Sequence, residues 1–268
     1  MRILLVSPEV VPFAETGGFA DVAGSLPKAL KEIGHDIRII MPRYKNVQTP
    51  MSKIRTLKVK IGRKFEDVII SEGKLPGTSV TVYFVEHDKY FGSRDELYQV
   101  KGVDYPDNLE RFSLFCQAVP IFLKAINWKP DIVHCNDWQS ALVIAHLKVT
   151  YKNDPFFSRT GTVYSIHNMG YLGMFKKELI DLTGFGWEIF KPEGLEFYDN
   201  LALAKGGIAF SDVINTVSET YAHEIQTKDY GHGLEGMLKR RAQDLYGIVN
   251  GIDYDIWTMK ICKRISQT

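Results

Sequence analysis

Apolar positions in this chain change their spacing in a way that separates strands from helices. Residues 2–7 (RILLVS) form a continuous apolar run of strand length, and Pro8 and Pro12 lead from it into a tight Thr16-Gly17-Gly18 turn. Apolar residues then recur at helical spacing over 19–33, Gly34 stops the helix, and 37–41 is a second strand. Strand, Gly-rich turn, helix and strand predict the opening of a nucleotide-handling α/β domain. The spacing then becomes alternating. Segments 53–61, 64–71 and 78–86 carry Val and Ile interleaved with Lys, punctuated by Gly62-Arg63 and Pro76-Gly77. They predict antiparallel strands, an inserted hairpin or meander. A polar stretch over 87–106 predicts a loop. Asp107 is placed to cap an amphipathic helix running to about Asn127, kinked at Pro120.

From Pro130 the strand–helix alternation returns. Strands are expected at 131–134, 160–166, 212–217 and 246–249, with helices at 138–150, 201–210, 219–226 and 234–241. Short apolar strands alternating with helices predict an α/β fold with a doubly wound, Rossmann-like parallel sheet. No internal repeat or low-complexity linker divides the chain, so a single domain is expected.

Bulk properties narrow the partners. The 268 residues carry 45% apolar content, 24% charged residues and a formal net charge of +1. That balance offers no electrostatic case for nucleic acid or a membrane surface. Cys116, Cys135 and Cys262 are widely spaced, with no metal-ligand pattern, and read as free thiols. The apolar run at the N-terminus is cut short by Ser7, Pro8 and Glu9, unlike a signal peptide. A cytoplasmic protein is the expectation.

Ligands of open α/β sheets bind at the carboxyl ends of the strands. The residues there are Ser7-Pro8-Glu9, then His134-Cys135-Asn136-Asp137-Trp138, His167-Asn168, Ser218-Glu219 and Asn250-Gly251. Gly17-Gly18 is not a dinucleotide fingerprint, yet its place before a helix puts bare N–H groups where a phosphate would sit. Asp21 is either a first-turn carboxylate favoured by the helix dipole or a ligand or loop anchor. His167 falls at the expected central cleft. Asp137-Trp138 either caps a helix or offers a carboxylate and an aromatic face, a pairing common at sugar sites.

Six segments in order resemble one family: SPEVVPFAETGGFADVAGSLPKAL, DIVHCNDWQSAL, YSIHNMGYLGMF, INTVSETYAHEI, YGHGLEGML and IVNGIDYDIW. They are similar to bacterial glycogen synthases and plant starch synthases, from residue 1 to about 257. The resemblance implies a retaining glucosyltransferase (a hexosyltransferase) moving glucose from ADP-glucose to the non-reducing end of an α-1,4-glucan. It implies the two-lobed GT-B architecture, with residues 1–257 as the N-terminal catalytic lobe and 258–268 as a tail outside the family pattern. It assigns His167 and Asp21 to catalysis, His167 orienting a sugar hydroxyl. It assigns Glu15, Gly17, Gly18 and Asn250 to the donor side, and Glu9, Asp137, Trp138, Asn168 and Tyr98 to the acceptor side. No cofactor or metal is implied, and a front-face route with retention is suggested. The partners implied are glucan, ADP-glucose and a second-lobe chain.

Two departures stand out. The family usually has Lys where this chain has Glu15. A carboxylate facing a diphosphate there is unfavourable by on the order of a few kcal/mol. Glu15→Lys is therefore expected to tighten ADP-glucose binding measured by calorimetry; unchanged affinity would mean the side chain faces away from the donor. Beyond Trp257 the sequence no longer follows the family, whose second lobe carries the diphosphate clamp. Loss of that clamp removes on the order of several kcal/mol of leaving-group stabilisation, so the expectation is an acceptor-side lobe inactive by itself. The alternatives are a non-catalytic glucan-binding module, one subunit of a split transferase, or a GT-B enzyme using another sugar nucleotide.

Overall fold

A computed structural model describes residues 1–254 and Thr258. The expected boundary at 257 and the tail lie outside the described residues, Thr258 apart. In chain order the first elements are β1 (Arg2–Val6), α1 (Phe19–Glu32), β2 (Asp36–Pro42), β3 (Ser52–Ile61), β4 (Lys64–Lys74) and β5 (Thr81–Glu86). The minor strands β6 (Gln99–Val100) and β7 (Val103–Asp104) lead to α2 (Asn108–Ala125), β8 (Ile132–Asn136), α3 (Asp137–Ala145) and β9 (Gly161–Ile166). Then come β10 (Met174–Lys176), β11 (Glu196–Phe197), β12 (Asn200–Ala202), α4 (Leu203–Phe210), β13 (Val213–Thr216), α5 (Glu219–Glu224), α6 (Glu235–Arg240) and β14 (Leu245–Gly247).

One nine-stranded sheet organises the chain, in the order β14-β13-β9-β8-β1-β2-β5-β4-β3. Every pair from β14 to β5 is parallel, with β1 between β2 and β8. Because crossovers between parallel strands are right-handed, α1 lies on one face, and α3 and α4, which run the other way along the sheet, lie on the opposite face. Helices α2 and α4 flank α3 there. Leu4, Leu5, Val6, Ile39, Ile40 and Val133 are fully or almost fully buried, as expected of strands covered on both faces.

The three alternating strands are antiparallel neighbours, as expected, but they form no separate layer. β5 pairs parallel with β2 and continues the main sheet, and β4 and β3 extend it to the edge. The reason is visible in burial: Val82 to Val85 of β5 are buried throughout, whereas β3 buries only every second residue of its second half. Asp107 precedes α2 but its side chain does not cap it; its Oδ2 takes the Arg94 guanidinium at 2.5 Å instead. The expected loop over 87–106 contains a π-turn at Asp88–Gly92 and the β6–β7 hairpin. A small sheet of β10, β12 and β11 follows the loop after β9. Cys116 and Cys135 are buried free thiols. Among the described residues no helix is long and apolar enough to cross a membrane.

Candidate active site at the carboxyl ends of the strands

Three of the strand-end residues meet where β1 and β8 finish. Glu9 is 1% exposed. Its Oε1 accepts from Thr16 Oγ1 at 2.6 Å and from the Tyr98 hydroxyl at 2.5 Å, and its Oε2 accepts from the Thr16 amide. Glu9 thus ties the Gly-rich loop to the segment preceding α2. That segment is held from behind. The Tyr98 carbonyl accepts from Asn108 Nδ2 at 2.9 Å, and Arg111, fully buried, donates Nη1 to Leu97 O at 2.7 Å. The Arg111 guanidinium sits between the rings of Phe91 and Phe112, each 4.9 Å away. Burial and the nearby Tyr44 and Glu9 raise the Tyr98 phenol well above its usual range, so it stays a donor.

Asp137 opens α3 with φ +54, a left-handed conformation for a residue other than glycine. Its Oδ1 accepts the His167 amide at 2.9 Å, so the carboxylate holds the start of the loop after β9. Desolvation pushes the Asp137 carboxyl up to about 7, with the charge of Glu9 adding to it and the backbone N–H groups opposing it. Strain and a perturbed pKa at one residue mark a site candidate. His167 stands over the same strand ends, its ring 4.9 Å from Phe19, the first residue of α1. Burial lowers its pKa to about 4, so the ring is neutral at pH 7.

The other assigned residues fall into place unevenly. Gly17 and Gly18 are exposed at the N-terminus of α1, where no side chain caps the helix. Glu15 is exposed on the same loop, and Asn168 is exposed with its Oδ1 accepting from the Gly170 amide at 2.8 Å. Asp21 is half-buried in the first turn of α1. Asn250 joins His167 in lining a cavity of about 680 Å³ between α1 and the sheet, which Asp21 does not reach. Trp138 offers no open aromatic face: it is buried, edge-on to Phe112 at 5.1 Å and against Phe175 at 5.7 Å. Its contribution is to the packing behind Asp137.

Sequence reasoning named His134 and Asn136 only as strand-end residues and missed Ser165 and Asn215 beside them on the floor of that cavity. Strand register aligns Asn136, Ser165 and Asn215 across β8, β9 and β13. Ser165 Oγ donates to Asn215 Oδ1, and His134 Nε2 lies 2.5 Å from Ser165 Oγ. The signal was available: in the run Ile132-Val133-His134-Cys135-Asn136, polar residues recur at every second position of a strand otherwise covered on both faces. Arg111 carried no such signal, because Phe91 and the Leu97 carbonyl that hold it lie on segments ahead of α2.

Residues 2–240 match the family profile of the starch synthase catalytic domain. The chain belongs to that family. It is 46% identical to the glycogen synthase of Moorella thermoacetica, over 99% of this chain and 53% of that protein. It is 47% identical to the glycogen synthase of Thermotoga petrophila, over 96% of this chain and 53% of that one. Its structure is similar to the catalytic domain of starch synthase IV from Arabidopsis thaliana bound to ADP and acarbose, with a TM-score of 0.87 and 30% identity, covering 96% of this chain and 52% of that one. The chain therefore spans about half the length of the curated relatives it matches. Within the starch synthase catalytic domain family, the lobe described here is mostly parallel sheet, and the residues above sit at its carboxyl edge.

Proposed function

We propose that this chain is the acceptor-side lobe of an ADP-glucose-dependent glucosyltransferase that extends an α-1,4-glucan with retention. One observation carries the reading: in a member of this family, Glu9, Tyr98, Asp137 and His167 converge beside the N-terminus of α1. The uncapped N-terminus and the amides of Gly17 and Gly18 favour a diphosphate. Asp21, one turn further on, and Glu15 belong to the same loop and helix start. Glu9 and Tyr98 shape the acceptor side, with Asp137, Trp138 and Asn168 holding the loop that carries His167. Asn250 approaches from the donor side. The neutral His167 ring orients a sugar hydroxyl. In this reading the lobe works in the cytoplasm without a cofactor, binds glucan by itself, and transfers glucose only together with the part of the relatives it does not match.

The two glycines give a test that separates binding from folding. A Cβ at Gly17 or Gly18 would meet nothing within 4 Å, and Gly18 has φ −62, so neither glycine is required by the fold. Gly18→Ala should leave the urea midpoint unchanged or slightly raised, while weakening ADP-glucose binding ~10-fold or more through loss of close approach. Equal affinity would remove the loop from the donor site. The whole reading is tested by incorporation of labelled glucose from ADP-glucose into glycogen, with His167→Ala as control. Glycogen retained on the purified chain without turnover is the expected result; turnover abolished by His167→Ala would show that the lobe needs no second one. Neither binding nor turnover would overturn the assignment.

A further inference from the structure

A neutral His167 ring can carry its proton on either nitrogen, and a neighbouring amide decides which. Asn136 ends β8 and is buried. Its Nδ2 lies 3.2 Å from the carbonyl oxygen of Val6, at the end of β1. A carbonyl only accepts, so the amide must present its NH2 group to Val6. Its Oδ1 is then the atom facing the His167 ring, 2.9 Å from Nε2. Oδ1 is an acceptor as well, and a lone pair on Nε2 would oppose it. Only a ring protonated at Nε2 satisfies both contacts. The Asp137 carboxylate cannot change this, because its Oδ1 is taken by the His167 amide and not by the ring.

Nδ1, the other ring nitrogen, is buried and has no hydrogen-bond partner among the described residues. In the tautomer set by Asn136 it carries a lone pair. A covered lone pair without a donor is unfavourable, and the contact of Nε2–H with Asn136 Oδ1 is what holds the ring in this form despite it. Protonating Nδ1 would create a buried cation with no acceptor, in keeping with the depressed pKa of the ring.

We propose that Asn136 is a positioning residue: bridging Val6 and His167, it locks the imidazole as the neutral Nε2–H tautomer and fixes the orientation of the ring at the carboxyl edge of the sheet. That the locked ring serves glucosyl transfer rests on the function proposed above; the lock does not. The signature is spectroscopic and would not follow from a merely structural role. Asn136 adds a second anchor to the backbone contact made by Asp137, one setting the ring and the other setting the chain.

The test is long-range 1H–15N correlation of the 268-residue chain labelled with 15N-histidine, the His167 signals being identified by their loss in His167→Gln. At pH 7 without ligand, the Nε2–H form of His167 should exceed the Nδ1–H form by about tenfold, the ratio given by one hydrogen bond of ordinary strength. Asn136→Ala should bring the two forms to within about threefold. Asn136→Asp, which keeps an acceptor opposite Nε2, should restore the Nε2–H form and move the titration midpoint up by about one to three pH units. A His167 found as Nδ1–H or as the cation in the unmodified chain overturns the lock, as does an unchanged ratio in folded Asn136→Ala. The unmodified chain decides the matter even if that variant fails to fold. Adding ADP-glucose then separates the two ideas: the lock observed with no movement of any His167 resonance upholds the lock and counts against the glucosyl reading alone.

Discussion

Gly173→Ala is expected to destabilise the fold by about 3 kcal/mol or more. Gly173 has φ +63, where an L side chain is strained, and a Cβ built there would lie 2.6 Å from Trp138 Cε3 and 3.0 Å from Trp138 Cβ. Neither side can give easily. Trp138 is wedged between Phe112 and Phe175, and the Gly173 carbonyl accepts from the Leu203 amide at 3.1 Å, tying this loop to the start of α4. Displacing Trp138 also displaces Asp137 and, through it, the His167 amide, so under the proposed function glucan binding should fall with stability. Gly77→Ala is the control: its φ is +72 but a Cβ would meet nothing within 4 Å. It should lose only the backbone contribution, about 1 kcal/mol. Urea unfolding of both variants separates the two contributions, and equal losses would show that Trp138 yields.

Stability should fall steeply as the pH drops from about 6.5 to about 4. Burial lowers His134, His146 and His167 to about 4 each, and His167 adds to the shift at His134. In the unfolded chain these rings take up protons near pH 6.5 while the folded ones remain neutral. The unfolded state therefore binds more protons across that window, and acid favours it. The three together amount to on the order of several kcal/mol. Asp137 acts in the opposite sense. Its carboxyl, raised to about 7, holds a proton in the fold that the unfolded chain releases near pH 4, so its contribution is lost as pH rises towards 7. Asp36, Asp131, Asp154 and Asp212 are shifted down and lose their contributions only below about pH 4. The balance of three groups against one places the maximum near neutral pH. Asp137→Asn keeps an acceptor for the His167 amide and suits the left-handed backbone, so it should be ~2 kcal/mol more stable than the parent at pH 8 and nearly equal to it at pH 4. Urea midpoints at pH 4, 6.5 and 8 read both arms, and a flat profile would mean that these groups stay solvated in the fold.

The chain's own periodicity was enough to predict the doubly wound sheet. Continuous apolar runs separated by helical spacing leave few ways to bury both faces of each strand, and right-handed crossovers remove most of the rest. The same reasoning pointed to the strand-end segments, because ligand sites in such sheets follow from topology. Glu9, Asp137 and His167 could be placed at the strand ends for that reason, before any geometry.

What the side chains do there was settled only by tertiary contacts between distant segments. Tyr98 reaches Glu9 across 89 residues, and His167 reaches Asn136 across 31. Periodicity describes which face a residue occupies; it says nothing about which loop closes over it. Trp138, read with Asp137 as either a helix cap or an aromatic face for a sugar, therefore became core, Asp107 read as a cap and became an ion-pair partner, and β5 read as part of an insertion and became an interior strand parallel to β2. Local pattern in the sequence determined the elements, their order and the edge of the sheet where chemistry could sit. The tertiary structure alone decided the orientation, burial and hydrogen-bond partners of each group at that edge, because those depend on segments that folding brings together from far along the chain.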